Sequence, residues 1–215
     1  MVEKNTVRRG YDELGDAYAA HRSGEGQGMD ALSTFLEAVP ESARILDAGC
    51  GPGRPVLSHL ADAASAVGLD FSGEQLRLAA EHAPEAALVR GDMTTLPFAA
   101  ETFDAVVAYW SLIHVPLADH RTVIDEFSRV LCPGGRLLVC EGTERWAGEN
   151  PDWLDSGVGM EWEIAGAEAT REQLHDAGFE ITDSWGVPET LEDEEAGEDG
   201  DDADDDWTFF AARLR

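Results

Sequence analysis

The chain contains a single lysine, Lys4, and only three cysteines, Cys50, Cys132 and Cys140. Three cysteines at these spacings form neither a disulfide framework nor a zinc site, so we expect reduced thiols and no bound metal. No apolar run reaches the roughly 20 residues of a membrane helix, and the first residues lack the apolar segment of a signal peptide. These absences argue against membrane and secreted proteins and predict a cytoplasmic protein with no membrane partner.

Positive charge is also scarce. The chain has 15 basic and 44 acidic side chains, and its formal net charge is −29. Residues 189–206 hold 12 of the acidic side chains, and removing these 12 charges from −29 still leaves −17. An acidic, lysine-poor surface resembles the proteins of haloarchaeon-like halophiles and predicts a fold that needs salt to screen its self-repulsion. The alternative is an ordinary acidic protein with one acidic loop. Because phosphate binding relies on basic side chains, we expect no nucleic-acid partner.

Short apolar runs alternate with helical patterns, which indicates βαβ units and a parallel sheet. Pro133, Gly134 and Gly135 are expected to stop the last helix of this series and to turn the chain into the fifth strand. The predicted strands are 44–48, 66–70, 86–90, 104–109 and 136–141, with helices at 54–63, 73–82 and 119–131 between them.

The length of 215 residues fits one domain. Two N-terminal helices, 5–22 and 29–39, are expected to cover the ligand crevice. A polar connection at 143–167 precedes a helix at 168–177 and strands at 179–185 and 207–214, which should pair antiparallel at the sheet edge. The predicted parts are lid helices in 1–40, a cofactor-binding core in 41–142, an acceptor-side region with the edge strand in 143–188, a solvated acidic hairpin loop in 189–206 and the final strand in 207–215.

The most informative stretch runs from Asp47 to Gly53 and places glycines at alternate positions 49, 51 and 53 after a buried strand. Glycine lets the backbone bend sharply and lets a ligand approach it closely. A strand, a glycine bend and a helix form a nucleotide pocket at the carboxyl ends of parallel strands. The spacing G-x-G-x-G differs from the dinucleotide pattern G-x-G-x-x-G, and the Asp47 carboxylate would repel a pyrophosphate. It suits a ligand that carries an ammonium group.

Asp70 ends the second predicted strand, about 20 residues beyond the glycine bend, where a carboxylate can accept both hydroxyls of a ribose. This signal is common to nicotinamide and methionine nucleotides. The alternative is that Asp70 caps the following helix, although Ser72 is better placed as that cap. Phe71 and Gln75 are candidates to flank the sugar and the adenine.

Asp92 and Met93 follow the third predicted strand. The Asp92 carboxylate could accept from the exocyclic amine of adenine while the Met93 backbone N–H meets a ring nitrogen. Pairing an acceptor with a donor in one loop discriminates adenine from other bases. The alternative is that Asp92 is only a turn residue.

These motifs, in this order and spacing, resemble the class I S-adenosylmethionine-dependent methyltransferases, in particular the small-molecule, methyltransferase-11-like type. The resemblance extends over about residues 10–185 and the last strand. It implies an α/β, Rossmann-like fold with a seven-stranded, mostly parallel sheet, helices on both faces and an antiparallel last strand. It also implies S-adenosyl-L-methionine as the cofactor, with its methionine half lying over the bend formed by Gly49, Cys50, Gly51 and Gly53.

The same resemblance extends to the first helix, where Tyr11 and Tyr18 would close over the cofactor and Arg22 would bind its carboxylate. These residues could equally be packing. At the exit of the fourth strand, Tyr109 offers an aromatic face to a sulfonium cation. His114 could accept a proton from the acceptor or could simply cap its loop, so Tyr109 and His114 are the candidate catalytic residues.

The acceptor is expected at the open edge of the crevice. An aromatic and apolar lining favours a small organic acceptor. The candidate acceptor-side residues are Trp110, His114, Met160 and Trp162, with Trp146 and Trp153 as further candidates. Trp110 could instead belong to the core, and Trp146 and Trp153 could be packing.

The sequence therefore predicts methyl transfer from S-adenosylmethionine to a small organic acceptor by in-line displacement, in a monomer or homodimer. Two alternatives stay open. One is a non-catalytic module that binds S-adenosylmethionine or S-adenosylhomocysteine. The other is an NAD-dependent oxidoreductase on the same sheet, against which Asp47 and the glycine spacing argue.

Overall fold

The computed structural model describes residues 2–20, 24–188 and 207–215. In chain order, the elements are α1 (Lys4–Ala20), α2 (Gln27–Glu37), β1 (Arg44–Ala48), α3 (Val56–Ala63), β2 (Ser65–Asp70), α4 (Gly73–His82), β3 (Ala87–Arg90), β4 (Phe103–Ala108), a 3₁₀ turn (Leu112–His114), α5 (Leu117–Val130), β5 (Leu131–Gly142), β6 (Trp146–Trp153), β7 (Val158–Ile164), α6 (Ala167–Asp176), β8 (Phe179–Val187) and β9 (Trp207–Leu214). The predicted acidic loop at 189–206 and Arg22 lie outside the described residues.

Seven of these strands form one sheet in the order β3-β2-β1-β4-β5-β9-β8. The pairs β1–β2, β1–β4, β2–β3 and β4–β5 are parallel, and β9 runs antiparallel to both β5 and β8. The predicted fold class is thus confirmed. The strand order reverses between β1 and β4, and in open α/β sheets ligands bind at the carboxyl ends of strands beside such a reversal.

The central strands are buried on both faces, so their sequences are continuous apolar runs. Ile45 and Leu46 of β1 point to opposite faces and are both fully buried. On one face, α5 buries Val123, Phe127 and Val130, which recur at helical spacing. None of the helices in the described ranges is both long and apolar enough to cross a bilayer.

The junction between α5 and β5 differs from the prediction. The helix ends at Val130 and β5 begins at Leu131, before Pro133 and Gly134. A residue that precedes proline is disfavoured in the helical conformation, so the helix cannot extend to Cys132. The strand then passes through an irregular register between Phe103 and Ala105 of its neighbour.

The connection predicted at 143–167 contains an antiparallel hairpin, β6–β7, which forms a separate two-stranded sheet. The sequence of β6 contains Gly148, Glu149, Asn150 and Pro151, which lack the β-branched alternation that signals a strand. The hairpin packs its Trp153 and Met160 against α1 in an apolar cluster apart from the main core. This cluster places the hairpin beside the first helix.

Candidate functional site

A cavity of about 810 Å³, counting the open solvent at its mouth, lies at the carboxyl ends of the central strands and beneath α1. The lining includes most of the residues predicted from sequence: Tyr11, Tyr18, Asp47, Gly49, Cys50, Gly51, Asp70, Phe71, Asp92, Met93, Tyr109, Trp110 and His114.

The glycine bend has the conformation that its sequence requires. Gly49 has φ +80° and Gly51 has φ +52°, and both values lie in the left-handed region that other residues rarely adopt. The Gly49 and Cys50 amides donate to the Leu69 carbonyl at 2.7 and 3.0 Å, which ties the bend to the end of β2. Burial raises the pKa of the Cys50 thiol, and the nearby carboxylates of Asp70 and Asp47 raise it further. Cys50 therefore favours the neutral thiol form in the bend.

Asp70 sits at the end of β2 with both carboxylate oxygens aimed at backbone donors. Ser72 N donates to Oδ1 at 2.8 Å and Gly51 N donates to Oδ2 at 2.9 Å. Burial raises the pKa of Asp70 to about 6, although these backbone hydrogen bonds oppose the rise. The cap of α4 is Ser72, whose Oγ accepts from Gln75 N at 3.1 Å. Asp70 thus retains an acceptor position on each oxygen for a ligand.

Asp92 makes the hydrogen bonds of a turn residue and also lines the cavity. Its Oδ1 accepts from Thr94 N and from Thr94 Oγ1, each at 2.8 Å, which is the role of a turn residue. Its Oδ2 faces the Lys4 ammonium at 3.2 Å and keeps a further acceptor position. Burial raises the pKa of Asp92, but the bonds from Thr94 and Lys4 outweigh burial and hold it below the usual value.

At the other end of the cavity, α1 meets the loop after β4. Tyr11 Oη lies 2.7 Å from His114 Nε2, within hydrogen-bond distance. Ser111 Oγ donates to the Ala48 carbonyl at 2.6 Å, which fixes this loop to the end of β1. Tyr109 packs its ring against Trp110 at a centroid distance of 4.9 Å. His114, Tyr109 and Trp110 therefore lie together where the fourth strand ends.

Some predicted site residues lie outside the cavity lining. Gly53 packs against α4, since a Cβ there would lie 2.9 Å from the Ala79 Cα. Ser72 and Gln75 are fully buried at the start of α4, where Gln75 Nε2 donates to the Tyr11 carbonyl at 3.0 Å. All three lie where α4 packs against the glycine bend and α1.

The predicted acceptor-side residues of the hairpin pack near the first helix. Met160 is buried in the cluster with Tyr11 and Tyr18. Trp162 lies 6.1 Å from the His114 ring, and Trp153 lies 5.5 Å from the Tyr18 ring, both measured between centroids. Trp146, Trp153, Met160 and Trp162 are not part of the cavity lining.

Sequence reasoning missed Lys4 and Ser111, which both line the cavity. It also missed a buried polar pair formed by His120 on α5 and Glu141 at the end of β5. His120 Nδ1 lies 3.5 Å from Glu141 Oε2. Burial raises the pKa of Glu141 to about 8 and lowers the pKa of His120, so both are neutral near pH 7. Within the ranges that the structure describes, no group of acidic, histidine or cysteine residues could hold a metal ion.

The chain is similar in sequence to known methyltransferases. Residues 46–139 match the family model of the methyltransferase domain. The chain is 28% identical over 198 residues to the tRNA (carboxymethyluridine(34)-5-O)-methyltransferase of Arabidopsis thaliana, covering 88% of this chain and 46% of that protein. It is 32% identical over 147 residues to the demethylmenaquinone methyltransferase of Bacillus licheniformis, covering 64% and 60%.

Solved structures share the fold. One is the Burkholderia thailandensis 1,6-didemethyltoxoflavin-N1-methyltransferase with bound 1,6-didemethyltoxoflavin and S-adenosylhomocysteine, with a TM-score of 0.69 and 18% identity over 98% of this chain and 88% of that one. The chain spans about half the length of the curated relatives that it matches. The sequence matches fall on a methyltransferase domain, and the solved structure shares the fold.

Proposed function

We propose that this protein transfers the methyl group of S-adenosyl-L-methionine to a small organic acceptor by in-line displacement. The observation that carries the proposal is one cavity bordered by the glycine bend, by Asp70 and by Asp92. The methionine half would lie on the bend near Asp47, the ribose on Asp70, and the adenine between Asp92 and Met93. When bound, the cofactor supplies an activated methyl group on a cationic sulfur.

The residues present fit this cofactor. Each Asp70 oxygen keeps an acceptor position for a ribose hydroxyl. Gln75 Oε1 is buried and has no hydrogen-bond partner among the described residues. It lies 3.9 Å from the point where a Cβ of Gly51 would stand, and Asp47 lines the cavity at the same bend as the carboxylate for an ammonium group.

The acceptor would lie at the opposite end, against Trp110 and His114, with Met160 and Trp162 supporting this wall from behind. Tyr109 would present its ring to the sulfonium. Tyr11 and Tyr18 would exclude water by covering the cavity. Alignment of the reacting atoms can supply roughly 7–11 kcal/mol of the barrier. If the acceptor must lose a proton, His114 accepts it, and its contact with Tyr11 Oη orients the imidazole.

Two relatives act on very different acceptors, since their names specify a tRNA and demethylmenaquinone. A small organic acceptor is favoured here because the chain carries a net charge of −29, which opposes the approach of a polyanion. The aromatic side chains at the acceptor end also suit a small organic molecule. The three free thiols support a cytoplasmic location.

Calorimetry with S-adenosylhomocysteine in molar KCl tests the cofactor assignment, and we expect binding. Transfer of a labelled methyl group from S-adenosylmethionine into a small-metabolite extract tests turnover. Tight binding without any labelled product would instead indicate a non-catalytic binding module. Binding of NADH in the absence of S-adenosylhomocysteine binding would favour an oxidoreductase and would overturn the proposal.

We also propose that the fold is adapted to salt. The excess acidic side chains, which give a net charge of −29, repel one another in dilute buffer. The Debye length shrinks from about 10 Å at 0.1 M salt to about 3 Å at 1 M. The temperature of thermal unfolding should therefore rise as KCl increases from about 0.1 to about 2 M, because the added salt screens the repulsion. Circular dichroism checks this, and an unfolding temperature independent of KCl would contradict salt adaptation.

A further inference from the structure

Lys4 is the first residue of α1 and stands at the adenine end of the cavity. Its Nζ donates to Asp92 Oδ2 at 3.2 Å and to Thr94 Oγ1 at 2.9 Å, and it lies 3.2 Å from Asp119 Oδ2. Asp92 and Thr94 follow β3, whereas Asp119 lies in the first turn of α5. One ammonium group therefore joins the first helix, the nucleotide loop and α5.

The position of Lys4 is also a boundary between two spaces. Lys4 lines the cavity, and it also lines a groove outside the cavity together with Asn5 and Arg8. Phe71, Gly91 and Asp92 border both spaces as well. A ligand that entered or left at the adenine end would pass Lys4.

We propose that Lys4 is a positioning residue that latches α1 over the adenine end of the cavity and slows the release of the nucleoside. This inference rests on the proposed function, because the retained ligand is the adenosine part of the cofactor. The latch and adenine recognition share the Asp92 carboxylate without competing for it. Thr94 occupies Oδ1 and Lys4 takes one position on Oδ2, so a second position on Oδ2 remains for an exocyclic amine.

The other hydrogen bonds of α1 lead to parts of the molecule other than the loop after β3. The middle of the helix is held by Gln75 Nε2, which donates to the Tyr11 carbonyl at 3.0 Å, and by Ser72 Oγ, which donates to Asp12 Oδ1 at 2.6 Å. These bonds reach the start of α4, on the ribose side. The start of α1 is also held on its hairpin side, because Val7 is fully buried in the apolar cluster and Glu3 N donates to Glu161 Oε2 at 3.1 Å. Lys4 instead ties the first turn of the helix to the loop that is proposed to bind adenine, so its loss would release that side of the turn without unfolding the helix.

Stopped-flow displacement of S-adenosylhomocysteine in molar KCl tests the latch. We expect Lys4→Met to raise the dissociation rate by roughly two- to fivefold, since a partly exposed ion pair contributes modestly in high salt and differences in affinity reside mainly in that rate. Asp119→Asn should also raise it, although Asp119 is not part of the cavity lining. Lys4→Arg should restore slow release. The matched control is Arg9→Met, which removes one positive charge from the same helix, where Arg9 Nε donates only locally to the Asn5 carbonyl.

Release from Lys4→Met at the wild-type rate, or equally fast release from Arg9→Met, would overturn the inference. Hydrogen exchange without any ligand provides a readout that does not depend on the cofactor. The amides of the first turns of α1 should exchange faster in Lys4→Met than in Arg9→Met. If S-adenosylhomocysteine fails to bind the wild-type protein, the cofactor assignment fails. If α1 exchanges equally in both variants, the latch fails on its own.

Discussion

Replacing Gly49 with alanine is expected to destabilise the protein by roughly 2–4 kcal/mol and to abolish binding of S-adenosylhomocysteine. The residue has φ +80°, and its added Cβ would lie 2.4 Å from the Ser111 Cβ and 3.2 Å from the Met93 Cε. Ser111 cannot easily yield, because its Oγ is bonded to the Ala48 carbonyl at 2.6 Å. Denaturant unfolding in molar KCl measures the loss of stability, and calorimetry measures the loss of binding.

Gly51→Ala is the matched control in the same bend. Gly51 also has a positive φ, of +52°, but the nearest atom to its added Cβ would be the Tyr18 Cε1 at 3.7 Å, an ordinary contact. Only the backbone cost of about 1–2 kcal/mol should remain. If both variants unfold at the same denaturant concentration, the close approach of the bend to Ser111 is not what restricts position 49 to glycine.

Replacing Asp70 with asparagine is expected to weaken binding of S-adenosylhomocysteine by on the order of 1–3 kcal/mol, because an amide cannot accept from Gly51 N and both ribose hydroxyls. The pKa of Asp70 is about 6, so the carboxylate form prevails above pH 6. Affinity of the wild-type protein should therefore fall as the pH drops below about 6, and Asp70→Asn should remove this dependence. Calorimetry at pH 5 and pH 7.5 gives both results.

The pH dependence of stability contributed by Asp70 runs opposite to the pH dependence of binding. Because the folded-state pKa of Asp70 exceeds the ordinary value of 3.8, its contribution to stability is largest at low pH and is lost as the pH rises through about 6. Asp70→Asn should consequently be at least as stable as the wild type at pH 7.5 while binding more weakly. Asp62→Asn, an exposed change on α3, is the control for net charge. Equal binding by Asp70→Asn and Asp62→Asn would show that Asp70 is only structural.

The sequence predicted the strands and helices around the glycine bend well because their signals are local. The strand Arg44–Ala48 and the helix Gly73–His82 have the predicted bounds. A buried strand ends where glycines begin, and a serine cap defines the first turn of the helix. Asp47, Asp70 and Asp92 reach one cavity because each lies at or just beyond the end of a parallel strand, which brings them together in space.

The remaining features depend on contacts between distant segments. Nothing near Lys4 in sequence indicates that its ammonium meets Asp92 and Asp119, which lie 88 and 115 positions later. In sequence, Gly53 is indistinguishable from Gly49 and Gly51, the other glycines of the motif. Only the structure shows that it allows α4 to pack closely against the bend. The hairpin β6–β7 was missed because its polar sequence is stabilised by Trp153 and Met160 against α1 and not by its own strand propensity.

The hairpin has a consequence for how such a protein could change its specificity. It leaves the main sheet after β5 and returns before α6, and its apolar cluster includes the first helix and Phe71, which follows β2. Substitutions along its strands could reshape one mouth of the cavity while the glycine bend and its carboxylates stay as they are. Under the proposed function, changes in the methylated compound and retention of the methyl donor would then fall largely on separate stretches of chain, which meet at the first helix and at Phe71.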